Sequence, residues 1–315
     1  MQLPEEITKC AAFVLYKRTD GLHLAGTAFY VAVPISEIPG KSWIHLLTAR
    51  HVIKRIADEA VDGRVHIRVN TKSAAAQIVE TEASQWLFHP TDPTVDIAML
   101  PGPPTDQVDY VSIPTNIAAT PEVIEKEGIG AGDEVFLTGL FANHYGYSRN
   151  LPIVRVGNVA LLSDEPVQTE DGPMNAYLVE ARSIGGLSGS PVFVHLGLVR
   201  FVDGTIKYSV EGRPLFWLGL MHGHWDMPTA QEDGMAARDE LRRGVNIGIA
   251  IVVPAAKALE VINQPQVQEM RKRSLPELLR EQSETQDTAG SAELITQTSD
   301  RDWTPPAPLD SSFLF

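Results

Sequence analysis

The chain has 315 residues, 43% of them hydrophobic, and a formal net charge of −14. That length suits one large domain or two modest ones, and the acidity argues against nucleic acid or anionic membrane as a main partner. Cys10 is the only cysteine, which excludes an intrachain disulfide and a multi-cysteine metal site and fits a reducing compartment.

At the N-terminus Glu5 and Glu6 precede a short apolar run, Cys10 to Tyr16, and Lys17 and Arg18 follow it. A secretory signal has the opposite order, with the basic residues first. The longest apolar runs, around Leu24–Ile35 and Ile247–Ala256, are too short to span a bilayer as a helix. A soluble, cytoplasmic protein is expected.

Up to about Thr120 the pattern predicts short strands broken by turns: Ala11–Tyr16, Leu24–Pro34, Trp43–Thr48, Val65–Asn70, Ile78–Glu82 and Ile97–Leu100. Val65, Ile67 and Val69 alternate with polar residues, which predicts a half-buried strand. A connector with a turn of helix follows over Pro114–Glu127. A second set of strands is predicted at Val135–Leu140, Val154–Leu162, Ala176–Ala181, Pro191–His195, Leu198–Val202, Phe216–Met221 and Ile247–Val253. Strands at this spacing without long helices between them predict an all-β protein of barrels or sandwiches. The glycines at 128, 130 and 132 do not make a dinucleotide fingerprint, because Asp133 takes the third glycine's place and a strand follows instead of a helix. The predicted organisation is 1–120, 121–262 and 263–315. The last part begins with helices over Ala255–Asn263 and Val267–Glu281, with Pro254 and Pro276 as start signals. From about Gln282 a flexible tail is expected. The closing Trp303–Leu309 and Phe313–Phe315 fit either a frayed terminus or a docking peptide for a regulatory partner or the chain's own cleft.

The chemistry concentrates at three places. Gly185-Gly186-Leu187-Ser188-Gly189-Ser190-Pro191 holds a serine among glycines ahead of an apolar strand. Such a turn can expose a hydroxyl with backbone N–H groups beside it to hold a developing oxyanion, although the same residues also make an ordinary turn. Thr48-Ala49-Arg50-His51 closes one predicted strand, and Asp96-Ile97-Ala98 opens another. Taken singly, His51 reads as a structural histidine and Asp96 as a turn carboxylate. Together with Ser188 they supply what a serine nucleophile needs: an imidazole to take its proton and a carboxylate to orient that imidazole.

These motifs, with Gly26-Thr27-Ala28-Phe29 and Gly248–Pro254, resemble the chymotrypsin-like serine peptidases over about residues 10–262. The similarity is to the bacterial branch with the glutamyl endopeptidases and HtrA protease domains. The resemblance implies two six-stranded antiparallel β-barrels with the active site between them, followed here by a C-terminal helical segment and a flexible tail. It implies a serine endopeptidase with Ser188 as nucleophile, His51 as general base and Asp96 as its orienting carboxylate. The N–H groups of Gly186 and Ser188 would form the oxyanion hole, and no cofactor is implied.

The chain departs from the family pattern at two places. Leu187 stands where secreted members carry an aspartate that pairs with a new N-terminus, so no propeptide is expected. Where members often carry a serine supporting the aspartate, this chain has Met221 or His222. Arg182, His222, Gly223 and His224 are expected to line the substrate pocket, and Arg182 with His222 would favour an acidic residue before the cut. His222, His224 and Asp226 have metal-ligand character, but no further motif supports a site and no metal is expected. A protein or peptide substrate is the expected partner. A non-catalytic scaffold that binds peptide in the same cleft is the alternative. An esterase is disfavoured because the serine leads into a strand rather than a helix.

Overall fold

The computed structural model describes residues 6–169, 172–181, 186–197, 199–202, 205–208, 215–227 and 245–299. After the short helix α1 (Glu6–Lys9), the first set of apolar runs pairs into one sheet. Its strands are β1 (Ala11–Arg18), β2 (Gly21–Pro34), β3 (Ser42–Thr48), β4 (Arg64–Asn70), β5 (Ala76–Glu82), β6 (Leu87–Phe88), β7 (Ala98–Pro101) and β8 (Ile113–Pro114). They lie in the order β5-β4-β1-β2-β3-β7-β6, and β8 adds to β2 in parallel. This half therefore has eight strands, and the pairing among described residues leaves it open instead of closing it into six.

The second set forms β9 (Glu134–Gly139), β10 (Ile153–Leu162), β11 (Val167–Thr169), β12 (Gly172–Met174), β13 (Tyr177–Glu180), β14 (Pro191–His195), β15 (Val199–Val202), β16 (Thr205–Tyr208), β17 (Leu215–Met227) and β18 (Val245–Pro254). Six of these close into a barrel, β10-β13-β18-β17-β14-β9, and β11–β12 and β15–β16 are separate hairpins.

Strand β2 explains how the halves meet. It is buried without a break from Ala25 to Ala32, and a run buried on both faces needs packing partners on both. Tyr30 packs on Tyr110 within its own half, at 4.7 Å between ring centroids. Phe29, on the other face, meets Trp217 of the second half edge-on at 5.8 Å. Trp217 is fully buried and its indole N–H donates to the carbonyl of Gly219 at 2.9 Å. The connector passes the same point, where the Ala119 N–H donates to the Trp217 carbonyl. Helix α3 (Pro121–Glu127) follows, capped by the Thr120 hydroxyl and ended at Gly128.

Strand β4 is buried on both faces, not half-buried as its alternation predicts. His66 is held by Asp62 at 3.0 Å. Arg68 donates to the Asn150 side chain at 2.7 Å and to the carbonyls of Gly146 and Tyr147 at 3.2 and 2.9 Å. The β9–β10 loop thus covers the polar face of β4 and satisfies it, which is the condition for burying a cation.

A helix not expected from the strand pattern, α2 (Arg50–Glu59), follows β3. It forms where Val52, Ile53 and Ile56 fall on one side and are buried. Helix α4 (Ala255–Ile262) starts after Pro254, close to its predicted span. Contacts divide the chain into two units, 1–267 and 268–315. Helix α5 (Pro265–Ser299) contains Pro276 within it and continues past Gln282, where a flexible tail is expected, to Ser299. In the second unit Arg273 donates to Glu269 one turn earlier at 3.0 Å. The closing motifs Trp303–Leu309 and Phe313–Phe315 lie outside the described residues.

Candidate active site

The register of two strands brings the first two candidates together. Thr48, the last residue of β3, pairs with Ala98, the first of β7. His51 lies just after the end of one strand and Asp96 just before the start of the other, so the two face each other. The Asp96 Oδ1 accepts the backbone N–H of His51 at 2.8 Å, and its Oδ2 accepts His51 Nδ1 at 2.7 Å. This double contact fixes both the ring and the helix turn that carries it.

A second imidazole reaches the same carboxylate. His222 Nδ1 lies 2.5 Å from Asp96 Oδ2. His222 owes its aim to a bulge: Met221 opposes Val252 while Gly223 opposes Ile251, leaving His222 as the extra residue of β17. Bulges of this kind redirect a side chain out of the regular alternation. The two imidazoles meet edge-on at 5.3 Å between centroids.

Asp96 is only 6% exposed. Burial works against its ionisation, but the hydrogen bonds from His222 and His51 outweigh that cost and bring its carboxyl down to about 2. At neutral pH it is therefore an acceptor only, and both Nδ1 atoms must carry the proton. Neutral His51 is left with its lone pair on Nε2, the form a general base requires. Its side chain keeps 34% of its surface exposed against 12% for His222, so His51 is the more open of the two imidazoles.

Ser188 comes to this place through its backbone. Leu187 is fully buried in the barrel core, and its carbonyl accepts the N–H of Ser190 at 3.0 Å to close a turn. Gly189 holds the position that needs positive φ, at 84°. A side chain there would run into the Thr27 carbonyl, the Thr48 hydroxyl and the Ala49 nitrogen. The turn also extends the β14–β17 ladder: Gly189 N–H donates to the Met221 carbonyl at 2.8 Å, and Met221 N–H to the Ser190 carbonyl at 2.9 Å. That pairing seats the serine turn beside the strand residues that carry His222.

Thr27 joins the turn to the first half. Its N–H donates to the Ser188 carbonyl at 2.8 Å. Its hydroxyl donates to the Gly186 carbonyl at 2.8 Å and accepts Leu140 N–H at 2.9 Å. Its own carbonyl accepts the Thr48 hydroxyl at 2.6 Å. Gly26 beside it has no side chain, and a Cβ there would come 2.8 Å from the Ser188 carbonyl oxygen and 3.0 Å from Val52. Gly26-Thr27 stands out in the sequence as a motif, but the linking role of the threonine emerges only with the fold. A buried hydroxyl in a long apolar strand is the signal that a distant partner exists.

The hydrogen bonds of the cluster thus link His51, Asp96 and His222, and Ser188 and Gly186 are bonded to the strand that borders them. Gly223 and His224 follow along β17, opposite Ile251 and Ala250. Arg182 lies outside the described residues. The ligand-capable atoms of His51, Asp96 and His222 lie within 4.8 Å of one another, so among the described residues this trio is the set that could hold a metal, at the expense of the hydrogen bonds just described. Cys10 is no rival nucleophile: it is buried, and desolvation pushes its thiol up to about 12. No helix among the described residues is long and apolar enough to cross a membrane.

No family model matches the chain, and no curated protein matches it by sequence. Among solved structures it is similar to the MamO protease domain from Magnetospirillum magneticum in its apo form, at 14% identity and a TM-score of 0.49, covering 82% of this chain and 97% of that one. It is also similar to Rv3671c of M. tuberculosis H37Rv, a mutant in an inactive form, at 14% identity and a TM-score of 0.41, covering 81% and 87%.

Proposed function

We propose that this chain is a serine endopeptidase of chymotrypsin-like type. The observation that carries the reading is the grip of Asp96 on both the ring and the backbone N–H of His51. That grip leaves Nε2 as the free base beside a serine turn tied to the same β2–β3 junction.

The reaction follows from these placements. The Ser188 hydroxyl attacks the scissile carbonyl as His51 Nε2 takes its proton. The carboxylate of Asp96 stabilises the imidazolium that forms, and His51 then returns the proton to the leaving amine. The oxyanion is held by the N–H groups of Gly186 and Ser188, each such donor being worth about 10²–10³ in turnover. Water repeats the sequence on the acyl-enzyme and frees Ser188. His222 also holds Asp96, in place of the hydroxyl that members of the resembled family use.

Incubating the wild-type protein and its Ser188→Ala variant with a peptide library, and reading new termini by mass spectrometry, tests this. Cleavage at defined sites is expected from the wild type, falling about 10⁴-fold or more in the variant. Peptide capture without new termini, equal in both proteins, would instead make the chain a binding scaffold.

A further inference from the structure

Asp96 stands in a segment without regular structure. Residues 89–97 connect β6 to β7, and the pairing of Phe88 with Ala98 closes them into a loop. Strand register fixes the ends of that loop, so its interior has to be fixed by other contacts. Asp92 is the centre of that interior. Its Oδ1 accepts the Thr94 N–H at 2.9 Å and the Thr94 hydroxyl at 2.6 Å. Its carbonyl accepts the Val95 N–H at 3.4 Å, and the Val95 carbonyl accepts the Ile97 N–H at 3.0 Å, which brackets Asp96. The bonds from Thr94 hold the Asp92 carboxyl below its ordinary range, so at neutral pH it is an acceptor only.

His89 holds Asp92 in turn. Its Nδ1 accepts the Asp92 N–H at 2.9 Å and, less closely, the Thr91 N–H at 3.4 Å. An imidazole nitrogen that accepts carries no proton, so the proton is on Nε2, which donates to Glu260 Oε2 at 2.9 Å. Glu260 belongs to α4, and Lys257 donates to its two oxygens at 2.9 and 3.2 Å. The His89 side chain is only 8% exposed, so water does not freely replace a lost partner there. From α2, Arg50 Nη1 donates to the Pro93 carbonyl at 2.5 Å. The loop that ends in Asp96 is thus tied both to the helix that carries His51 and to the helix that follows β18.

We propose that His89 is a positioning residue for Asp96: Glu260 orients its imidazole, its Nδ1 sets the Asp92 turn, and the turn sets the carboxylate that grips His51. The effect on turnover rests on the peptidase reading, whereas the effect on the bond between Asp96 and His51 is measured apart from it. The bland role for the same contacts is to fasten α4 to the loop. The two roles use different nitrogens of one ring: Nδ1 serves Asp92, and Nε2 serves α4.

The test compares the wild type with His89→Ala, His89→Asn and His89→Gln. Asparagine places an oxygen near the position of Nδ1 and falls short of Glu260. Glutamine places its amide near the position of Nε2 and offers Asp92 nothing. One readout is the downfield NMR resonance of the His51 Nδ1 proton shared with Asp96, in protein carrying isotope-labelled histidine, assigned by its loss in His51→Ala. The other is kcat and KM on a cleaved peptide, with thermal melts to show that each variant is folded. In His89→Ala and His89→Gln the resonance should move upfield or broaden, and kcat should fall about tenfold with KM nearly unchanged. His89→Asn should restore the resonance and most of the rate, although its link to α4 is cut. If His89→Ala leaves the resonance and kcat at their wild-type values, or if His89→Gln performs as well as His89→Asn, the histidine only fastens the helix and the proposal is wrong. Where His89→Ala does not fold, the comparison of asparagine with glutamine decides alone. A wild type that cuts no peptide, with the His51 proton still moved in His89→Gln, removes the peptidase reading and keeps the hold of His89 on Asp96. Cleavage intact with an unmoved proton does the reverse.

Discussion

The two halves of the molecule contribute to the site in different ways. The first half supplies side chains, His51 from a helix and Asp96 from a strand entry, and sets them by strand register. The second half supplies a turn, Leu187–Ser190, whose shape depends on backbone hydrogen bonds and a glycine at positive φ. Side chains on regular elements are fixed by local packing, but a turn stays in place only through its neighbours. The serine's position thus depends on the junction between the halves, where Thr27 binds the carbonyls of Ser188 and Gly186.

The largest effect should come from Trp217→Ala. Trp217 packs against Phe29 across the junction and is fully buried, so the cavity left should cost about 3–5 kcal/mol in denaturant unfolding. A loss below about 1 kcal/mol would mean that the halves are held together elsewhere.

His222→Ala comes next. Removing a hydrogen bond to a buried carboxylate typically costs about 1.5–3 kcal/mol, so turnover should fall about tenfold to a hundredfold while KM changes little. His222→Ser, which restores a donor, should recover part of the rate. No difference between alanine and serine would mean that the second imidazole does not position Asp96.

Thr27→Val keeps the shape and removes the hydroxyl, leaving Leu140 N–H and the Gly186 carbonyl unpaired. The expected loss is about 1–3 kcal/mol of stability, together with slower reaction of Ser188. Stability lost without any change at Ser188 would show that the turn does not depend on this link.

The smallest effect needs acid to be seen. Burial raises the Asp96 carboxyl, but the hydrogen bonds from His222 and His51 lower it by more, to about 2 from the ordinary 3.8. A depressed carboxyl stabilises the fold above its unfolded value, and that contribution fades as pH falls from about 4 through 2. Urea unfolding of wild type and Asp96→Asn should therefore converge between pH 4 and 2. Parallel curves over that range would contradict the assignment.

Much of this was legible in the sequence because it follows short-range rules. The strand runs, the serine turn and the flanks of His51 and Asp96 each fall within a few residues. Helix α2 was not legible, because Val52, Ile53 and Ile56 extend a strand-like apolar context and only the sheet beneath selects the helical face. The burial of Arg68 depends on carbonyls of Gly146 and Tyr147, far along the chain. The aim of His222 depends on a bulge set by pairing with β18, which no local pattern announces.

The most direct test of the central claim is to treat the folded protein with a fluorophosphonate and map the adduct by peptide mass. One adduct on Ser188, formed at neutral pH and suppressed in His51→Ala and Asp96→Asn, is the predicted result. A folded wild type that takes no label, or takes it on another residue with His51→Ala reacting as fast, would contradict it.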